Sequence, residues 1–119
     1  MFTVAQEFEQ RIRHINQTAS GGSYVAVFAL RLVPIDSPTV EFSSAVDAPE
    51  AAPWIPFIRE GVLEFLEQRK RESREIGFLR VVLSDIWINL TDCKERRFRE
   101  AAVLAMSQAF ARSELIVEK

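Results

Sequence analysis

Apolar and polar residues along this chain follow two rhythms, one of period two and one near 3.6. In the first segment Phe2, Val4, Phe8 and Ile12 hold even positions while Glu7, Glu9, Arg11 and Arg13 hold odd ones, as in a strand with one wet face. Val4, Phe8, Ile12 and Ile15 also share a helical face, so the pattern admits both. Thr18-Ala19-Ser20-Gly21-Gly22-Ser23 reads as a turn or loop. Tyr24 to Val33 is the strongest strand signal, closed by Pro34 and Asp36-Ser37-Pro38, and Thr39 to Ser43 reads as a short third strand.

After Pro49 the period lengthens. Phe57, Ile58, Gly61, Val62, Phe65 and Leu66 predict an amphipathic helix, entered through Pro53 and Pro56 and running out in a mixed-charge stretch, Glu67 to Glu75. That stretch suits either a solvated helix end or an anion site. Phe78 to Leu90 predicts a long strand. Asp92 then stands at an N-cap position, with Glu95 three residues on, before a helix that gathers Phe98, Ala101, Ala102, Ala105, Ala109 and Phe110 on one side. Leu115-Ile116-Val117 adds a terminal strand. The order β-β-β-α-β-α predicts one α+β domain over residues 1–119, a two-layer split β-α-β sandwich. Its four-stranded sheet should carry both helices on one face.

Composition narrows the chemistry. The 119 residues are 48% hydrophobic and 27% charged, which excludes a disordered or low-complexity chain. Fifteen Lys+Arg against seventeen Asp+Glu leave a net charge of −2, too little cation for non-specific nucleic-acid binding. One Cys (Cys93) and one His (His14) leave no disulfide and no cysteine-rich or two-histidine metal site. Glycine loops for nucleotides are missing, as is any apolar run of membrane-spanning length. A cytoplasmic protein without cofactor, metal or membrane partner is therefore expected. His14 reads as a half-buried polar residue. Asp85 and Asp92 read as turn and cap residues before they read as an acid–base pair.

The residues then show a resemblance. Ser20-Gly21-Gly22-Ser23-Tyr24, Pro34, Trp54-Ile55-Pro56-Phe57-Ile58-Arg59-Glu60-Gly61-Val62 and the series Leu83, Asp85, Asp92, Glu95, Phe98, Ala101 fall in the order and spacing of domain IV of translation elongation factor G. The chain resembles that domain in isolation, without the GTPase. The resemblance implies a fold whose working end is two loop tips that meet the ribosome. The tips would be Gly21, Gly22, Ser23 and Tyr24 in one loop and Ile88, Asn89 and Leu90 in the other. Asn89 stands where the family has a tip histidine, and Ile86-Trp87-Ile88 replaces a polar approach.

The sequence carries two further signals of its own. Val25, Val27, Ala29 and Val33 oppose Ala26, Phe28, Leu30 and Leu32, and strict alternation sets Val81, Leu83 and Trp87 against Val82, Ile86 and Ile88. Both faces of the central strands are apolar, yet helices cover one. Val25, Val27, Val81, Leu83 and Trp87 are thus expected to form an apolar interface for a second copy or another protein, unless a terminal segment covers them. Lys94, Arg96, Arg97 and Arg99 open a helix, against its dipole, and are the candidate phosphate contacts. Three readings follow: a non-catalytic interaction module, a factor contacting ribosome or RNA through its tips, and a small enzyme of unknown chemistry. The first explains the apolar faces best.

Overall fold

A computed structural model of the chain describes residues 1–17, 23–88 and 95–119. The ambiguous first segment forms two strands, β1 (Phe2–Val4) and β2 (Phe8–Gln17), followed by β3 (Ser23–Pro34) and β4 (Val40–Ser44). Helix α1 (Ile55–Arg71), strand β5 (Leu79–Trp87), helix α2 (Glu95–Phe110) and a short β6 (Ile116–Glu118) complete the order. The main sheet runs β2-β3-β5-β4, and β1 pairs with β6 in a separate ribbon. β2, β3 and β5 are antiparallel neighbours. β4 lies beside β5 and parallel to it, joined to it across α1. The result is the expected two-layer α+β sandwich.

Pairing with β3 decides the first segment. Phe8 and Ile12 fall opposite Leu32 and Phe28, while Glu9 and Arg11 fall opposite Arg31 and Ala29. A helix would bury the same apolar residues but would leave one long edge of β3 without hydrogen bonds.

The core lies between the sheet and the helices. Phe28, Leu30, Leu32, Leu79, Val81 and Leu83 supply its sheet side and are fully buried. Ile58, Val62 and Phe65 come from α1, and Phe98, Ala101, Ala102, Ala105 and Ala109 from α2. The alanines let α2 approach closely, as the sequence suggests, and the two helices meet at Gly61. A Cβ on Gly61 would strike the Arg99 carbonyl and lie 2.6 Å from the Ala102 Cβ. Trp54, at the entry to α1, stacks on Phe98 with ring centres 5.3 Å apart, and Phe98 lies 6.2 Å from Phe28.

Helix α1 ends in a tight cap. Ser73 takes a left-handed φ of 61°, its N–H donates to the Lys70 carbonyl at 3.1 Å, and the Arg74 N–H donates to the Arg69 carbonyl at 2.8 Å. This is the Schellman pattern, with serine where glycine usually stands. The chain then bonds to β1, Phe2 donating to the Glu75 carbonyl and Gly77 to the Phe2 carbonyl.

Candidate functional site

One irregularity in β5 determines which residues reach solvent. Leu83 pairs with Leu30, but Asp85, two positions on, pairs with Ala29, so Ser84 is a bulge residue. An extra residue reverses the alternation beyond it. Leu79, Val81 and Leu83 therefore share the helix-covered face with Ile86 and Ile88, while Asp85 and Trp87 face outward. This corrects the sequence expectation for Val81 and Leu83. Both are completely buried under the helices and cannot meet a partner. Val27 is half-buried on the outer face opposite Trp87, which is 48% exposed. Val25 is placed by its pairing with Ile15 alone.

The outer face is also less apolar than expected. Arg11 lies 3.3 Å from the Asp85 carboxylate and 3.6 Å from Glu9, and Arg31 lies within 4.0 Å of Glu7 and Glu9. Arg80 bonds Glu41 at 2.9 Å across β5 and β4. The Arg11–Asp85 pair spans β3 above Ala29, which is fully buried although it faces outward. Such exposed pairs contribute about 0–1 kcal/mol each. Their effect is to keep much of this face solvated, with the one exposed aromatic among its described residues at the Trp87 end.

At that end the sheet opens. β4 stops at Ser44, opposite Leu83, and Ala45 makes a last bond to the Leu83 carbonyl at 2.9 Å. Beyond Leu83, β5 is paired with β3 alone. On its other side a 3-10 turn, Pro49–Ala51, stands off from the strand. The gap is a cleft of about 490 Å³ lined by Ala48, Glu50, Ala51, Ile86, Trp87 and Ile88. Among the described residues Glu50 is its only charged wall. The sequence pointed to Trp87 and Ile88, but the turn residues opposite them needed the fold, because nothing local marks an Ala-Pro-Glu-Ala stretch as a wall.

Of the expected tip residues, Ser23 and Tyr24 open β3 opposite Gln17 and Asn16. Gly21, Gly22, Asn89 and Leu90 lie outside the described residues, as does Lys94. Register places the end of β2, the start of β3 and the end of β5 at the same end of the sheet, since Val27 pairs with both Arg13 and Trp87.

At the start of α2 two arginines converge on one carboxylate. Arg97 bonds the Glu100 carboxylate at 2.7 Å and Arg96 at 3.0 Å, with His14 Nε2 3.5 Å away. Partial burial pushes the Glu100 carboxyl up, but the Arg97 hydrogen bond and charge, with help from Arg96 and His14, hold it below the usual carboxylate range. Arg99 is exposed. Among the described residues no group of His, Cys, Asp or Glu is placed to hold a metal ion, and no helix is long and apolar enough to cross a membrane.

No protein-family model matches the sequence, and no curated protein matches it. Among solved structures, the crystal structure of a protein from Thermus thermophilus is similar, with a TM-score of 0.71 at 18% identity. The likeness covers 90% of this chain and 16% of that one. At that identity what is shared is the α+β fold, and function does not follow from it.

Proposed function

We propose that the chain is a non-catalytic binding module that self-associates through the Trp87 end of its sheet. The carrying observation is that the half-exposed Trp87 indole stands beside an apolar cleft of about 490 Å³. A protruding apolar group next to an apolar recess is self-complementary under a two-fold axis: each copy offers its knob to the other's hole. Burying such an aromatic anchor is the usual dominant contribution at an interface. The charge ladder Glu7-Arg31-Glu9-Arg11-Asp85 borders the patch and supplies a polar rim. Analytical ultracentrifugation of wild type and Trp87→Glu tests the reading. A dimer lost in the variant supports it, and identical sedimentation of the two refutes it.

A second reading rests on a different observation. The end of β2, the start of β3 and the end of β5 lie at one end of the sheet. Arg96 and Arg97 belong to the helix that follows β5. With the resemblance to domain IV of elongation factor G, this favours contact with ribosomal RNA through that end. Cosedimentation with ribosomes should then fall steeply with added salt and with Arg96→Glu/Arg97→Glu. Binding that ignores both changes would remove this reading.

A further inference from the structure

The corner formed by the ends of both helices and the β1–β6 ribbon holds a guanidinium in an unusual setting. The Arg69 Cζ lies 5.3 Å from the centre of the Phe2 ring, 5.5 Å from Phe110 and 6.0 Å from Phe65. Its Nε donates to the Arg74 carbonyl at 3.2 Å, and the Arg74 N–H donates back to the Arg69 carbonyl at 2.8 Å. This two-way clasp, made possible by the left-handed Ser73, brings both arginines to one cleft of about 370 Å³. Phe2, Phe110, Ile116 and Val117 form its apolar walls, with Ser113 and Glu118 also at its edge.

No carboxylate of the described residues pairs directly with either arginine, none lying within 4.0 Å of Arg69 or Arg74. The Arg69 Nη groups make no hydrogen bond to described residues, and they are not among the buried polar atoms left without a partner. They are therefore open to solvent in the cleft. Loss of water around Arg69 lowers its pKa first, the nearby charge of Arg74 lowers it further, and Glu72 opposes both. Two like charges are thus held close at an apolar-walled recess.

We propose that this cleft binds an amphipathic anion, its oxyanion head on the Arg69 Nη–H groups and Arg74 and its short apolar body against Phe2, Phe110 and Ile116. A planar guanidinium already held among three aromatic rings and by one backbone bond loses little freedom on meeting a carboxylate or phosphate. The apolar walls discriminate against bare inorganic anions, which gain nothing from them. Glu118 at the edge opposes negative charge on the ligand and so favours a singly charged head over a doubly charged one. The site lies near the Leu79 end of β5, since Phe2 bridges to Ile76, and is independent of the Trp87 cleft.

Amide chemical-shift titration of the full chain with octanoate, phenyl phosphate and inorganic phosphate tests this. The expected result is saturable shifts at Ser113, Ile116 and Val117 with octanoate or phenyl phosphate, and which of the two binds assigns the head group. Arg74→Gln, an exposed change away from the packed rings, should weaken that binding by about tenfold, the scale of one charge-assisted hydrogen bond. Inorganic phosphate should bind at least about tenfold more weakly than the better amphiphile. The proposal is overturned by the absence of saturable shifts, by shifts confined to Ala51 and Trp87, or by affinity unaffected in Arg74→Gln. Equal affinity for inorganic phosphate would also overturn it, the cleft then holding an adventitious ion only.

Discussion

Ser84 has no partner residue across β3; its hydroxyl instead lies 3.2 Å from the Ala29 carbonyl, and 3.1 Å from the Glu9 carboxylate on the next strand. Either oxygen can accept its one proton. The bulge at Ser84 sends Leu83 into the core and Trp87 into solvent, although the two are four apart and a regular strand would place them together.

Leu83→Ala should therefore cost about 2–4 kcal/mol, as expected for a fully buried leucine whose removal leaves a cavity. Trp87→Ala should change monomer stability by less than about 1 kcal/mol, because half of the indole is already exposed. Urea denaturation of each variant at low protein concentration checks the contrast. Equal losses would mean that β5 is regular after all.

Gly61 marks the closest approach of the helices. Glycine is ordinarily a weak helix residue, and an exposed Gly→Ala change gains roughly 1 kcal/mol. Here the added methyl meets the Arg99 backbone, which cannot yield as a flexible side chain would. Gly61→Ala should destabilise by about 1–3 kcal/mol through overpacking. A stabilised variant would show that the helices are spaced more widely.

Ser73 carries a left-handed backbone that glycine adopts without steric cost. Ser73→Gly should raise stability by about 0.5–1 kcal/mol, the relieved strain exceeding the extra freedom gained by the unfolded chain. Thermal unfolding measures this directly. A lower midpoint would contradict the assigned cap.

The Glu100 carboxyl is held below its ordinary value, chiefly by Arg97 and Arg96 acting against partial burial. A carboxylate with a lowered folded pKa adds stability that is fully present above its unfolded pKa and disappears as pH falls through the folded value. The stability advantage of wild type over Glu100→Gln should accordingly be flat near neutrality and shrink through the acid range. An advantage that grew on acidification would reverse the assigned direction.

Much of the fold could be read from residue patterns, because Ala26 to Leu32 is a continuous apolar run broken only at Arg31 and Phe57 to Leu66 buries residues at a helical period. The first segment could not be decided alone: Phe8 and Ile12 satisfy a strand and a helix equally until β3 is beside them. The site was legible only in part. Trp87 was visible as an aromatic at a strand end, but Val81 and Leu83 were assigned to the wrong face because alternation cannot register one inserted residue. The pairing of Arg11 with Asp85 over Ala29 depends on strand register, and the wall opposite Trp87 depends on where β4 stops. Arg69 lay in the mixed-charge stretch, where nothing local distinguishes a guanidinium enclosed by rings from its solvated neighbours Lys70 and Arg71.

On the proposed function, the Trp87 end of the sheet joins two copies of the chain. Light scattering across a dilution series in moderate salt measures this most directly. At the concentrated end the molar mass should approach twice 13.6 kDa, and Trp87→Glu should hold it at 13.6 kDa throughout. A wild-type mass of 13.6 kDa at every concentration, or a dimer that survives Trp87→Glu, would rule out self-association through Trp87.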